Sequence, residues 1–391
     1  MSEWKRYKLD EIASLSNGIN FDKSAYTSGV KLIGVADFKD RVYPDYGSLQ
    51  EVDSKVVRNG DYLEKGDIVF VRSNGNKELV GRCMMIDRDI PVTFSGFCIK
   101  LHLIDKNKFE PAYFNYLFRT REFKKVMTGT AVGANIQNLS QSRLGNCEIN
   151  VPNIETQREL AIIISRYDSL IENYQKQIKL LEESAQRLYK EWFIDLRFPG
   201  HENVQIVDGV PEGWEKKPVD TIYSIKYGKN LSTKLISENG KFPVYGANGV
   251  IGYYDKANCN EQVVLITSRG NGSGDVLMTY HKDAFITNNS FIVSPIEDYS
   301  YCQLPFTYQF LKNANFRAVR TGAAQPQLTN QSIHTVDVVL PSKDVIIDYC
   351  DEASYNNKKI ILLKNQIRLL TEARDRLLPK LMSDEISMFI Y

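Results

Sequence analysis

The stretch from Leu160 to Trp192, LAIIISRYDSLIENYQKQIKLLEESAQRLYKEW, governs how the rest of the chain is read. Leu160, Tyr167, Tyr174, Leu181 and Leu188 recur every seven residues, and Ile164, Ile171, Ile178, Ala185 and Trp192 follow each of them by four. Apolar residues spaced alternately four and three apart fall on one face of a helix, as the d and a positions of a coiled coil. Glu172, Lys176, Lys179, Glu182, Glu183 and Arg187 occupy the other faces. Asn153, Glu155 and Gln157 offer capping and first-turn chemistry, and Pro199-Gly200 stops the run. The pattern predicts a helix of roughly 35 residues, on the order of 50 Å long. Alone it would leave a long apolar stripe in water, so it needs a partner.

That partner lies in the same chain, because the sequence repeats at a fixed offset of 189 residues. Asn138-Leu139-Ser140 to Val151-Pro152 matches Gln327-Leu328-Thr329 to Leu340-Pro341, and Gln177-Ile178-Lys179-Leu180-Leu181 matches Gln366-Ile367-Arg368-Leu369-Leu370. The offset carries the register to a second helix, with Ala353, Ile360, Ile367, Arg374 and Leu381 at a, and Tyr349, Asn356, Leu363, Leu370 and Leu377 at d. Two polar residues, Asn356 and Arg374, interrupt this seam. A polar group there either fixes partner and register or marks a wet, splayed end.

The start of each copy also repeats, at a different offset: Trp4, Leu9, Asp10, Ile12 and Gly18 correspond to Trp214, Val219, Asp220, Ile222 and Gly228, 210 residues on. The helices therefore keep their length while the globular parts differ in their loops. The period is far longer than the ~20–50 residues of a solenoid, so the unit repeated is a domain plus a helix. The expected fold is α+β: two mixed α/β domains separated by two long helices that pair as an antiparallel coiled coil, with internal pseudo-two-fold symmetry. The expected segments are a first domain over 1–152, a first helix over 153–198, a linker over 199–213, a second domain over 214–341 and a second helix over 342–391.

Composition bounds the function. Of 391 residues 43% are hydrophobic and 25% charged, as in globular proteins with real cores, and the net charge is only +1. A polyanion would have to be held by local basic patches or with the help of basic partners. Cys83, Cys98, Cys147, Cys259, Cys302 and Cys350 are widely spaced without a CxxC, which argues against structural zinc or a disulfide framework. No apolar run reaches the length of a membrane span, so a cytoplasmic protein is expected.

Within each domain a predicted strand, Lys65 to Arg72 and Gln262 to Arg269, ends in an arginine beside a Gly/Asn-rich loop. Further strands are predicted over Thr93 to Leu101 and Ala284 to Val293, then short aromatic helices over Tyr113 to Phe118 and Phe306 to Leu311. Basic residues follow, and then amide-rich loops. Lys and Arg neutralise phosphates, and Asn, Gln and Arg can present paired hydrogen bonds to adenine or guanine edges. The candidates for such contacts are Arg72, Ser73, Asn74, Lys77, Lys124, Lys125, Gln137 and Asn138 in the first copy. In the second they are Arg269, Asn271, Asn288, Asn289, Arg320, Gln325 and Gln327. Any one of them could equally be a solvated surface residue; the recurrence of the arrangement is what singles them out.

Catalytic signatures are missing: no G-x-x-x-x-G-K-[ST], N-P-P-[FY], H-E-x-x-H or G-x-S-x-G occurs, and His102, His201, His281 and His334 have no counterparts between copies. The order of features resembles instead the specificity subunits of type I restriction-modification enzymes. It is carried by Pro211-Glu212-Gly213-Trp214, by Thr128-Gly129 and Thr321-Gly322 ahead of the amide-rich loops, by Val151-Pro152 and Leu340-Pro341, and by the long helix closing on Trp192-Phe193-Ile194-Asp195-Leu196-Arg197-Phe198-Pro199-Gly200. The resemblance covers essentially the whole chain. It implies a non-catalytic subunit whose two target recognition domains each read half of a bipartite double-stranded DNA site, with the helices setting the spacer. It also implies two methyltransferase partners that use S-adenosylmethionine, and motor/nuclease restriction subunits that use ATP and Mg, with no cofactor on this chain. A helix of about 50 Å would bound the half-site separation at roughly 15 base pairs. A coiled-coil adaptor with duplicated protein-binding domains is the alternative.

Overall fold

The computed structural model describes residues 4–38, 41–73, 79–128, 138–322 and 325–383. Contacts divide the chain into two compact units, one of residues 1–172 with 368–391 and the other of residues 173–367. The division is not sequential, because both long helices, Ile154–Phe193 and Lys343–Met382, pass from one unit to the other.

In the first unit a four-stranded antiparallel sheet has the order Ala13–Asn17, Cys98–Leu103, Ile68–Val71, Cys83–Met85. A three-stranded sheet sets Tyr26–Ile33 between Gln50–Val52, antiparallel, and Val92–Phe94, parallel. A ribbon then pairs Lys5–Lys8 with Glu148–Val151, tied by the Arg6–Glu148 ion pair. The second unit repeats the plan. Its four-stranded sheet runs Tyr223–Tyr227, Ser290–Pro295, Val264–Thr267, Val276–Met278, its three-stranded sheet Gly249–Tyr254, Phe242–Gly246, Phe285–Ile286, and its ribbon pairs Glu215–Pro218 with Asp337–Leu340.

The ribbons explain the Val-Pro and Leu-Pro pairs. Val151 and Leu340 are buried last residues of their strands, and the proline that follows has no N–H to continue the ladder. In the first unit Asn153 Oδ1 then accepts from Thr156 N at 2.9 Å, an N-cap, and buried Gln157 donates to Pro152 O at 2.8 Å.

The repeated glycines are also explained. A Cβ on Gly18 would stand 2.3 Å from the carbonyl oxygens of Phe94 and Ser95, and one on Gly228 would stand 2.3 Å from that of Thr287. Only a residue without a side chain lets these strands approach so closely. Gly18→Ala or Gly228→Ala is expected to lower stability by about 1–3 kcal/mol, as overpacking does. An unchanged unfolding midpoint in urea would show that the backbone gives way without cost.

The aromatic helices form as expected, over Pro111–Arg119 and Leu304–Asn313, and bury Tyr113, Phe114, Tyr116, Leu117 and Phe118 in one unit and Phe306, Phe310 and Leu311 in the other. One expectation fails in both copies. Thr93 to Leu101 and Ala284 to Val293 are not single strands; each is two short strands broken by a turn that carries the chain from the three-stranded to the four-stranded sheet.

Each long helix has 40 residues, about 60 Å at ~1.5 Å per residue. In the first unit Leu160, Ala161 and Ile164 share a core with Leu378, Leu381 and Met382, and Asp168 bonds Arg374, so the helices run antiparallel there. The second unit is likewise antiparallel: Ile178, Ile360 and Leu363 cluster with Tyr174, Leu181 and Ile367, Glu182 meets Lys364, and Tyr189 meets Tyr349. Ile171 is buried, while Tyr167 and Leu370 are half-buried.

Towards the helix ends the buried stripe shifts by one position. Tyr189 and Phe193 are more buried than Leu188, and Leu378 more than Leu377, although Leu188 and Leu377 still pack at the core edge. A helix of ~3.6 residues per turn drifts against a seven-residue repeat, and here the ends dock into the globular cores. Phe193, Trp192 and Tyr349 form an aromatic cluster there, with Trp214 of the Pro-x-Gly-Trp motif 6.0 Å from Phe193 and 5.4 Å from Phe198.

Of the two polar residues in the second seam, Arg374 is not splayed. Its Nη1 lies 2.6 Å from Asp168 Oδ1, with both side chains about nine-tenths covered or nearly so at 14% and 13% exposure. In the second unit Lys364 sits 3.0 Å from Glu182 and 3.6 Å above the ring of Tyr280. Burial lowers the pKa of this lysine, and Glu182 works in the opposite direction.

Candidate nucleic-acid interface

In both units the strand-end loop and the amide-rich loop, distant in sequence, are joined by the backbone. Ser73 bridges Asn138, and Arg269 bridges Gln327. Leu139 N donates to Arg72 O, and Leu328 N donates to Ser268 O, each at 2.8 Å. Leu139 and Leu328 are buried, which anchors each amide-bearing residue beside the strand end.

These bonds correct the sequence alignment of the two arginines. Arg72 is equivalent to Ser268, and Arg269 to Ser73. Because successive side chains in extended backbone alternate sides, the two arginines are presented differently. Arg72 is half-buried, with Nη1 donating to Gly96 O at 3.4 Å, whereas Arg269 is exposed.

The other candidates are placed as follows. Asn138, Asn271, Gln325 and Gln327 are exposed, and Ser73, Asn288, Asn289 and Arg320 are half-exposed. Arg320 Nε donates to Arg317 O at 3.0 Å, and Arg317 pairs with Asp275 at 2.5 Å. Lys124 and Lys125 lie on the helix Arg121–Thr128, half-buried and exposed respectively, and both take part in local interactions. Asn74, Lys77 and Gln137 lie outside the described residues. The glycine-rich loop Gly270 to Gly274 is a folded turn: Ser273 is buried, its hydroxyl donating to Ser268 O at 3.2 Å, and Gly270 and Gly274 have φ of +86° and +89°.

One residue at this interface was hidden by the misread strand. Ser95 to Cys98 is a tight turn, closed by Cys98 N to Ser95 O at 2.9 Å, and its third residue, Phe97, is 61% exposed. The signal available in sequence was the Gly96-Phe97 pair, which an alternating strand pattern absorbs.

The histidines make local contacts within the fold. His102 meets Asp67 at 2.7 Å, His201 meets Phe198 O at 2.9 Å, His281 meets the Tyr245 hydroxyl at 2.9 Å, and His334 meets Asp220 at 2.7 Å. Burial pushes the thiols of Cys83, Cys98 and Cys302 up to about 12. Among the described residues no group of three His, Cys, Asp or Glu side chains is placed to hold a metal, and no helix is long and apolar enough to cross a membrane. A cleft of about 1000 Å³ in the first unit, bordered by Tyr62, Asp87, Ile90, Lys106 and Pro111, shares no residue with the interface.

Two α+β units of one plan, each joining a strand-end loop to an amide-bearing loop and each containing antiparallel helix segments, define a duplicated recognition module. The family model described as "Type I restriction modification DNA specificity domain" matches residues 1–183 and again 211–361, and the chain belongs to that family. The family decides between the two readings of the sequence: the domains are of a DNA-specificity type and not those of a coiled-coil adaptor.

Among curated relatives, the type I restriction enzyme MjaIX specificity subunit of Methanocaldococcus jannaschii is 26% identical over 312 residues, covering 73% of this chain and 71% of the relative. The HindI specificity subunit of Haemophilus influenzae is 23% identical, covering 99% of this chain and 100% of the relative. A crystal structure of the S subunit of a type I restriction-modification system from M. genitalium superposes with a TM-score of 0.58 at 20% identity, covering 98% and 97% of the two chains. At that identity the likeness supports the fold.

Proposed function

We propose that the chain is the specificity subunit of a type I restriction-modification complex, in which each recognition domain reads one half of a bipartite double-stranded site. The observation that carries this is the duplicated loop pairing, Ser73 with Asn138 and Arg269 with Gln327. An exposed amide stands beside the strand end in both units, Asn138 and Gln327, joined in the second by the exposed guanidinium of Arg269, and such groups discriminate bases in the major groove. The helices are the candidate spacer, because the two keep an equal length of 40 residues and pack antiparallel within each unit.

A net charge of +1 leaves much of the phosphate neutralisation to partners. Those partners are two methyltransferase subunits carrying S-adenosylmethionine, which methylate adenine after flipping it from the duplex, and restriction subunits that use ATP and Mg to move and cut DNA. This chain binds no cofactor, catalyses no step itself and works in the cytoplasm. Co-expression with the methyltransferase subunits, followed by single-molecule sequencing of adenine methylation, is expected to give one motif of two short specified halves separated by a fixed unspecified spacer. Methylation scattered without such a motif, or confined to one half, would refute the reading.

A further inference from the structure

The turn containing Phe97 has a counterpart in the second unit that matches it bond for bond. Cys98 N donates to Ser95 O at 2.9 Å, and Ser290 N to Thr287 O at 3.1 Å. Gly96 N donates to Ile19 O at 2.7 Å, and Asn288 N to Lys229 O at 3.0 Å. Phe97 O accepts from Arg72 N, and Asn289 O accepts from Ser268 N, both at 2.8 Å. Phe97 and Asn289 therefore stand at the same backbone position, next to the strand end that meets the amide-bearing loop.

The backbone is pinned while the side chain is left in water. Ser73 N also donates to Phe97 O, at 3.3 Å, and a Cβ on Gly96 would stand 2.1 Å from Asn20 Oδ1, so the turn is closed on both sides. Even so, the Phe97 ring is 61% exposed, although buried Phe94, Cys98 and Val71 share a core one step away. Arg72, whose guanidinium reaches Gly96 O at 3.4 Å, supplies a cation beside it. Asn289 is half-exposed at the corresponding place. A rigid turn that offers phenylalanine in one copy and asparagine in the other changes chemistry and keeps geometry, as a base-reading position must.

We propose that position 97/289 is a specificity-determining position shared by the two domains, with Phe97 contacting the C5-methyl group of a thymine in the first half-site and Asn289 hydrogen-bonding an adenine edge in the second. An apolar side chain against the thymine methyl, and an amide against adenine N6 and N7, are the matching major-groove contacts. The proposal rests on the reading of the chain as a DNA specificity subunit. It adds which residue reads and which base feature is read.

The test uses the complex with its methyltransferase subunits and duplexes carrying the motif that the wild type methylates. Each thymine of the first half-site is replaced in turn by deoxyuridine, which lacks only the methyl group. For the wild type, one replacement is expected to reduce methylation rate about 4-fold, as the loss of one buried methyl contact does. Phe97→Ala is expected to show a similar loss on the unmodified duplex and no further loss at that thymine, while its genomic motif is relaxed at one position of the first half and unchanged in the second. Asn289→Ala is expected to relax an adenine position of the second half alone. A first half without thymine on either strand, indifference of the wild type to every deoxyuridine, or a Phe97→Ala motif identical to that of the wild type would overturn the proposal. Loss of any bipartite motif in the wild type would refute the underlying reading instead.

Discussion

Replacing Asp168 with alanine is expected to destabilise the first unit by about 3 kcal/mol, the scale of stripping one partner from a buried ion pair. Arg374 would keep Asp375, 2.8 Å away and more exposed, as a carboxylate neighbour. The second Asp168 oxygen is buried, and the Asp168 carboxylate lies near the Tyr116 hydroxyl. Burial, and then the Asp168 charge, holds that phenol far above its usual pKa. The pair is thus enclosed by a recognition-domain helix as well as by both long helices. Replacing both members, Asp168→Leu with Arg374→Met, is expected to recover most of the lost stability, since the desolvation cost of two charges goes with them. What it would not recover is the register, because an apolar seam accepts a heptad slip that a lone charge pair forbids. Urea unfolding of the single and double variants checks the first part; a single variant within about 0.5 kcal/mol of the parent would show that the pair contributes no more than an exposed surface bridge.

The helices were the most legible part of the chain because their signal is one of period. Leu160, Ile164, Ile171 and Ile178 are buried where the heptads put them. The stripe drifts only where Tyr189, Phe193 and Leu378 leave the helix seam for a globular core, a tertiary effect that no local pattern encodes. The sheets were less legible. Thr93 to Leu101 reads as one strand, yet it serves two sheets, and the crossing is made in the four residues Ser95 to Cys98. Because the turn is short and flanked on both sides by strand residues, the turn signal of Ser95-Gly96 is outweighed and Phe97 reads as part of a strand.

The interface was half legible for a related reason. Residue type drew Arg72 and Arg269 into alignment, but equivalence in a strand is set by hydrogen-bond register, and one step exchanges the two faces. The backbone bridges of Ser73 with Asn138 and of Arg269 with Gln327, not residue type, set the match. Asn288 and Asn289, whose amides suit base edges, lie on a turn between two strands, not within one.

The second large effect concerns specificity. Each recognition domain has its own cores, its own closing ribbon and its own copy of the paired loops, so on the proposed reading exchange of one leaves the other's half-site unchanged. The restraint on exchange lies at the seam, where Leu160, Ile164, Leu378 and Leu381 share a core with Leu9, Leu144 and Ile149 of the first domain. A donor domain that keeps apolar residues of similar size there is expected to assemble, since volume-conserving changes are tolerated. The most direct measurement is therefore the adenine methylome of cells that express the methyltransferase subunits with a chimera in which residues 1–152 come from a relative of different target. The account predicts a motif whose one half is the donor's, whose other half is unchanged, and whose spacer is that of the parent; a motif changed in both halves would contradict it.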